Sequence, residues 1–219
     1  MTQVHKSRNS SHPYIDTVWQ TECLEDGIYS ATPDGSWDLI YIQKPDGKCM
    51  VFFTGQSTEP VKVPYLKGES SIVISFAGAT YLTKKPDGFV ALPITGQSFL
   101  YEGYDFPLPT RTNAEQITNL LIQRRFLKND DIVEGVLSSK PLAASKRSVQ
   151  NHFQHTTGIT KKDFEQIRRA QEAVRLLQEG VKPVDVASSV GYSDQAHLTR
   201  SIKKIMGHLP SDIDDIHKI

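Results

Sequence analysis

The first half of the chain alternates short apolar runs with turn residues. Four runs are rich in β-branched and aromatic side chains: WDLIYI (37–42), CMVFF (49–53), VKVPY (61–65) and SIVISF (71–76). The turn-forming triplet Pro-Asp-Gly recurs at 33–35, 45–47 and 86–88. This pattern predicts that residues 14–103 are mostly β structure, folded as a small barrel or sandwich.

The second half has a longer period, with apolar residues every three or four positions, as on one face of a helix. Helices are predicted over 114–126, 130–139, 145–158, 161–180, 183–189, from a cap at Ser193 or Asp194 onward, and near 210–217. No run in this half has the pattern of a strand. Residues 113–216 are therefore predicted to be all α.

Two further stretches set the expected domain organisation. Residues 1–13 are polar and predict a flexible tail, and the Pro-rich stretch 104–112 predicts a linker. The fold class that follows is α+β with two domains. A β-rich domain over 14–103 precedes a helical domain over 113–219.

The chemistry of the last long helix is concentrated on one face. In GYSDQAHLTRSIKK (191–204), the apolar Leu198 and Ile202 lie on one side of a helical wheel, with Ile205 one turn further. The other side carries Gln195, Ala196, His197, Thr199, Arg200, Lys203 and Lys204. Arg pairs with guanine, Gln with adenine, and small apolar groups meet the thymine methyl, so this face suits a DNA major groove. An ordinary amphipathic surface helix is the alternative.

Two features around this helix favour the DNA interpretation. The preceding VDVASSVGYS contains Ala187, small enough for two helices to cross closely, and Gly191, which permits a tight turn. The segment 145–157 repeats the design about 49 residues earlier, with Val149 and Phe153 on its apolar face. Its polar face carries Lys146, Arg147, Gln150, Asn151 and Gln154. The pair predicts two helix-turn-helix units joined by the helix at 161–179.

Charge is distributed unevenly along a chain whose formal net charge is zero. Residues 1–110 carry −4 and residues 111–219 carry +4, which suggests an acidic module joined to one that binds nucleic acid. No apolar run approaches the ~18 residues of a membrane span, and the N-terminus has no secretory pattern. Cys23 and Cys49 are interpreted as free thiols of a cytoplasmic protein that has no membrane contact.

The segment GITKKDFEQIRRAQEAVRLLQEGVKPVDVASSVGYSDQAHLTRSIKKIMGHLPSDI (158–213) resembles the DNA-binding domain of the AraC/XylS family of bacterial transcription regulators. The matching positions are Ala187, Gly191, Tyr192, Asp194, Gln195, His197, Leu198, Arg200, Gly207 and Pro210. The resemblance covers roughly 113 to 216. It implies two recognition helices that enter adjacent major-groove faces about one helical turn apart. It also implies base-contacting roles for Arg147, Gln150, Asn151, Gln195, Ala196, His197 and Arg200.

The first unit departs from the family pattern. Its turn, SKPLAAS (139–145), lacks the glycine of the second unit, and Asn151 stands where many relatives have a cation. The resemblance as a whole implies a sequence-specific transcriptional regulator. The departure in the first unit leaves an alternative, an adaptor whose weakened first unit makes it act by pairing with another regulator.

The N-terminal half resembles the cupin-like sensor domains of such regulators in arrangement alone. Candidate residues for an effector pocket are Trp37, Tyr41, Phe52, Phe53 and Tyr65, with the alternative that they fill the core. Expected partners are double-stranded DNA, a small-molecule effector, a second copy of the chain and, for an activator, RNA polymerase.

Enzyme and metal chemistry are not expected. Cupin metal sites need several histidines, but only His5 and His12 precede His152, and both lie in the polar tail. Two cysteines cannot form a four-cysteine zinc site. His152 and His155 are predicted to be polar surface residues. No cofactor is expected.

Overall fold

The computed structural model of the protein describes residues 2–55, 57–85, 90–141 and 143–207. The strands in these ranges are β1 (Gln3–Asn9), β2 (Ile15–Cys23), β3 (Gly27–Ala31), β4 (Asp38–Gln43), β5 (Cys49–Thr54), β6 (Val61–Tyr65), β7 (Ser70–Phe76), β8 (Thr80–Leu82), β9 (Ile94–Thr95), β10 (Ser98–Tyr101), β11 (Tyr104–Pro107) and β12 (Leu127–Asn129). The helices are α1 (Ala114–Gln123), α2 (Asp131–Leu137), α3 (Lys146–Thr157), α4 (Lys161–Gln178), α5 (Pro183–Val190) and α6 (Gln195–Met206).

The largest sheet has the strand order β1-β2-β7-β4-β5, and each neighbouring pair is antiparallel. Leu39 on β4 lies opposite Phe53 on β5 and Ile74 on β7. All three side chains are almost fully buried. Because side chains alternate along a strand, these residues define the face of the sheet that packs into the core.

Helix α1 packs against the same core. Ala114, Ile117 and Leu121 are fully buried and belong to one apolar cluster with the strand residues. On the polar side, the Arg8 guanidinium donates to both carboxylate oxygens of Glu115, at 2.6 and 2.8 Å. This bidentate pair attaches β1 to the first turn of α1.

Three smaller sheets also lie in the described ranges: β11-β10-β9, β12-β8 and β3-β6. The chain divides into two compact units. The first contains Met1–Tyr29, Ser36–Gly55 and Pro64–Gly158, and the second contains Ser30–Gly35, Gln56–Val63 and Ile159–Ile219. Helices α1, α2 and α3 thus belong to the same unit as the large sheet.

The helices of the second unit pack around the apolar stripe of α4. Phe164, Ile167, Ala170 and Val174 are buried, and Leu177 is half-buried. From α6, Leu198 and Ile202 are fully buried. None of the described helices is long and apolar enough to cross a membrane.

The predicted flexible tail is wrong for Gln3–Asn9, which is strand β1 and pairs with β2 along its whole length. The pattern was easy to miss because most of its side chains are polar and at least partly exposed. The predicted linker is wrong at Tyr104–Pro107, which is strand β11. A tight turn with positive φ at Glu102 and Gly103 returns the chain from β10, and Phe106 is buried.

The prediction of no strand beyond residue 113 is wrong at Leu127–Asn129, which pairs with β8. Three residues are too short to produce a recognisable alternation in the sequence. The β-rich first half and the helical second half are otherwise confirmed. Helices α1 to α5 start and end within a few residues of their predicted bounds, and α6 starts directly after the predicted cap. The helix predicted near 210–217 lies outside the described residues. The barrel or sandwich arrangement stays a prediction.

Candidate nucleic-acid interface

Helices α5 and α6 form the second helix-turn-helix unit. Pro183 begins α5, and Gly191 ends it with a left-handed φ of 81°, a conformation that glycine adopts without a steric penalty. Ala187 is buried, as a close helix crossing requires. The Asp194 carboxylate caps α6 by accepting from the His197 backbone N–H at 2.6 Å.

Helix α6 separates its apolar and polar sides as predicted. Leu198, Ile202, Ile205 and Met206 are at most 4% exposed. The exposed side chains are the predicted Gln195, Ala196, His197, Arg200, Lys203 and Lys204, and Thr199 is half-buried. The Thr199 hydroxyl donates to the Gln195 carbonyl, which leaves its methyl group as the apolar feature of that position.

Side-chain contacts that the sequence did not predict support the turn before α6. Tyr192 is buried, and its hydroxyl shares a hydrogen bond with Ser201 at 3.0 Å. Its ring meets the His197 ring edge-on, with centroids 5.1 Å apart. The Arg169 guanidinium of α4 lies over the Tyr192 ring, 5.7 Å from its centroid, and donates to the Gly191 carbonyl at 3.5 Å. The aromatic residue directly after the turn glycine was the available signal.

The charges of α6 are ordered along the helix. At its start, the hydrogen bond from the His197 backbone N–H holds the pKa of Asp194 below its usual value. Asp194 is therefore an anion at the positive end of the helix dipole, and Lys203 and Lys204 are cations in the last turn. Both placements stabilise the helix. Beyond the first turn of α6, Arg200, Lys203 and Lys204 are exposed positive charges.

Helices α2 and α3 form the first helix-turn-helix unit. The hydroxyl of Ser145 caps α3 and Gly158 ends it with a φ of 77°, which fits the predicted helix over 145–158. The polar residues Lys146, Arg147, Gln150, Asn151 and Gln154 are all exposed, whereas Phe153 is buried. The Gln154 amide donates to the Gly158 carbonyl, so this side chain also serves the end of its own helix.

The α2 cap is a buried junction rather than a surface cap. One oxygen of Asp130 accepts from the backbone N–H groups of Ile132 and Val133. The other accepts from His152 Nδ1 and the Thr156 hydroxyl, each at 2.8 Å. Burial alone raises the pKa of Asp130, but these hydrogen bonds outweigh it and lower the pKa overall. Asp130 is therefore an anion that ties α2 to α3.

The two histidines of α3 are more involved than the polar-surface prediction implied. His152 bonds to Asp130, and the ring of His155 lies 5.1 Å from the ring of Tyr81 on β8. Asn113 precedes α1 but makes no cap bond, because its side chain bonds to Thr110 and Leu108 instead.

The five effector candidates lie in different surroundings, and their role in an effector pocket stays a prediction. Trp37 and Phe53 are buried in the core cluster. Phe52 points to the opposite face of β5 from Phe53 by alternation, and Tyr41 bonds to Cys49. Tyr65 packs its ring against Gly27.

A surface pocket of about 390 Å³ lies in the first compact unit, the one that contains the large sheet. None of the five aromatic candidates lines it. Its walls include Lys84, Lys85, Leu92, Leu100 and Tyr101. Among the residues that the structure describes, no three His, Cys, Asp or Glu side chains are grouped to hold a metal ion.

Comparison with known proteins identifies the helical region. Residues 139–215 match the family model described as "Helix-turn-helix domain". Over 54 residues the chain is 37% identical to the uncharacterized HTH-type transcriptional regulator YbfI of Bacillus subtilis (strain 168), covering 25% of this chain and 20% of YbfI. The match thus spans about a fifth of that relative.

Solved structures of ToxT from Vibrio cholerae are also similar. The P21 form has a TM-score of 0.45 at 9% identity, over 98% of this chain and 99% of ToxT. Wild-type ToxT with bound unsaturated fatty acid has a TM-score of 0.44 at 9% identity, over 96% and 94%.

The family match and the B. subtilis relative define the class of the C-terminal region, which contains a helix-turn-helix domain. The matched range includes the residues from Ala187 to Arg200, on which the predicted helix-turn-helix rests.

Proposed function

We propose that the protein is a sequence-specific DNA-binding transcriptional regulator that reads the major groove with α6 and α3. The observation that carries the proposal is the exposed face of α6. It offers Gln195, Ala196, Thr199 and Arg200 in the N-terminal half of the helix, the part that contacts base edges in helix-turn-helix proteins.

The residues of this face divide into two roles. Arg200 has the planar donor fork that fits guanine O6 and N7, and Gln195 fits adenine N6 and N7. Lys203 and Lys204 lie one turn further, where point charges suit phosphate oxygens. His197 is held by Tyr192 and Ser193, so its ring is already oriented on the exposed side of the helix.

Helix α3 supplies a second, less charged reading face. Arg147 and Lys146 lie in its first turn, followed by the amides Gln150, Asn151 and Gln154. We propose that this helix reads its own stretch of major groove. We also propose that the β-rich part binds an effector or a second copy of the chain, and that RNA polymerase is a partner if the protein activates transcription.

Selection of bound duplexes from a random pool, with the full chain alone, tests the proposal. The selected duplex is then titrated at several salt concentrations with wild type, Arg200→Ala and Arg175→Ala. Arg175 is a matched control because it is an exposed arginine on α4 that pairs with Glu172 and Glu179. Its loss changes the net charge by the same amount without touching α6.

We expect wild type to enrich one sequence and to bind it with steep salt dependence. Arg200→Ala should bind the selected duplex more weakly and less selectively, and Arg175→Ala should bind it as wild type does. If the chain enriches no sequence by itself, the proposal is wrong. The adaptor alternative then predicts enrichment only when a second regulator is added.

A further inference from the structure

The end of α3 has carbonyl groups that its own helix cannot satisfy. The last turn of a helix leaves its C=O groups without N–H partners from a following turn. In α3 the Gln154 carbonyl accepts from the Gly158 backbone N–H. The next two carbonyls, of His155 and Thr156, accept instead from Lys85 and Trp37. Residues of the β-rich region therefore complete the end of a predicted reading helix.

Trp37 is a rigid donor. Its side chain is 5% exposed and belongs to the core cluster of the sheet. A Cβ added to Gly55 would lie 3.1 Å from the indole ring, so the ring is packed directly on backbone. The indole N–H donates to the Thr156 carbonyl at 3.1 Å, in a buried setting. A displacement of α3 at this point would leave both groups unpaired, which is costly in a buried place.

Three more contacts converge on the same turn. The Lys85 ammonium donates to the His155 carbonyl and lies 5.6 Å from the Trp37 ring centroid, where a cation also complements the negative end of the helix dipole. Tyr81 packs against the His155 ring. Asp130 accepts from the Thr156 hydroxyl and from His152. We name these four residues, Trp37, Tyr81, Lys85 and Asp130, the α3 clamp.

We infer that the α3 clamp positions the first reading helix, with Trp37 as its central positioning residue, so that the β-rich region sets how Arg147 and Gln150 meet DNA. The inference rests on the proposed function. A helix is stiff over 12 residues, so fixing its last turn fixes the direction of its exposed face. No member of the α3 clamp touches DNA in this scheme, because each acts through α3.

Trp37→Phe is the direct test. Phenylalanine keeps an aromatic ring in the core but has no N–H for the Thr156 carbonyl. The half of the selected duplex read by α3 is the half at which Arg147→Ala abolishes the base preference. Binding is measured on the selected duplex and on a second duplex in which that half is scrambled. We expect Trp37→Phe to reduce the ratio of the two affinities about tenfold, with unchanged affinity for the scrambled duplex. The double variant Trp37→Phe/Arg147→Ala should lose no more than Arg147→Ala alone.

Two companion variants separate positioning from general stability. Lys85→Met removes the exposed donor to His155 and should reduce the ratio about threefold. It covers the case in which Trp37→Phe does not fold. Tyr41→Phe removes a hydroxyl from the same sheet, where it bonds to Cys49, and should leave the ratio unchanged. Equal loss on both duplexes by Trp37→Phe or Lys85→Met would overturn the inference.

Hydrogen exchange without DNA gives an independent readout. In Trp37→Phe the amides of residues 154–158 should exchange faster, and those of α6 should not change. If wild type selects no duplex, the proposed function fails while faster exchange at 154–158 still supports the α3 clamp. Unchanged exchange there would overturn the α3 clamp whatever the DNA result.

Discussion

The two helix-turn-helix units differ in how their second helices are held. The connection between α5 and α6, Gly191–Asp194, is half as long as the connection Ser138–Ser145 between α2 and α3. In the second unit a left-handed glycine, Tyr192 and the Asp194 cap fix α6 with residues close by in sequence. In the first unit the hydrogen bond from Trp37 to Thr156 joins residues 119 positions apart.

This difference teaches that a turn without the expected glycine, such as the turn before α3, can still precede a helix that is held in place by other contacts. The missing glycine of SKPLAAS is offset by contacts from outside the unit, at the far end of α3. In the second helix-turn-helix unit, neighbouring residues fix the start of α6, whereas in the first, residues of the β-rich region contact the end of α3. The consequences are separable by mutation.

The largest expected effect is on folding of the second unit. Leu198→Ala should lower the free energy of unfolding by about 2–5 kcal/mol, because Leu198 is fully buried and the substitution leaves a cavity. Gln195→Ala, on the exposed side of the same helix, should stay within about 0.5 kcal/mol of wild type. Thermal and urea unfolding measure both. Equal effects would mean that the two sides of α6 are assigned wrongly.

The two capping aspartates give the next contrast. Asp130→Ala should cost about 1–3 kcal/mol, because it leaves the buried Thr156 hydroxyl and the α2 N–H groups without their acceptor. Asp194→Ala removes an exposed cap and should cost less. Urea unfolding of both variants checks the order. A larger loss for Asp194→Ala would contradict the assignment of Asp130 as a buried junction between α2 and α3.

The third contrast concerns acid stability. The hydrogen bond from Arg8 lowers the pKa of Glu115 to about 2, against an unfolded value of about 4.3. A carboxyl whose pKa is lower in the folded state stabilises fully above its unfolded pKa and loses that contribution as the pH falls towards 2. We expect about 1 kcal/mol at pH 7, less than the full shift implies, because both side chains are partly exposed.

Glu115→Gln tests this directly. The difference in unfolding free energy between wild type and Glu115→Gln should be present at pH 6 and should shrink between pH 4.5 and pH 2. A difference that stays constant with pH would show that the Arg8 pair contributes no charge-dependent stability. The pairs on α4, such as Arg175 with Glu172, are three or four residues apart and exposed, so no comparable pH effect is expected from them.

The smallest effect concerns salt dependence of DNA binding. Lys203→Ala and Lys204→Ala should each lower the slope of log affinity against log salt by about one, as the loss of a phosphate contact does. Lys48→Ala, exposed in the turn before β5, loses the same charge and should leave the slope unchanged. A similar change for Lys48→Ala would attribute the slope to overall charge.

The helical half was predictable because its signals are local. Ser145, Gly158, Pro183, Gly191 and Asp194 each cap or end a helix through bonds to residues a few positions away. The exposed face of α6 follows from Leu198 and Ile202 alone. The four strands with dense β-branched and aromatic runs, β4 to β7, were found for the same reason.

The rest depends on pairing between distant residues, which leaves little local pattern. Strand β1 is polar because its ordering comes from β2 and from the Arg8–Glu115 pair. Strand β12 is three residues long and exists through β8. The roles of Trp37 and Asp130 at the end of α3 need the folded structure, since their partners are 119 and 26 positions away.

The measurement that tests the central claim most directly is the base preference of Arg200→Ala. The duplexes selected by wild type and by this variant are compared, with thermal melts alongside. We predict a loss of about 1–3 kcal/mol on the preferred duplex and relaxed preference at one base pair, with folding stability within about 0.5 kcal/mol of wild type. Unchanged affinity and unchanged base preference would contradict the claim that α6 reads DNA through its exposed face.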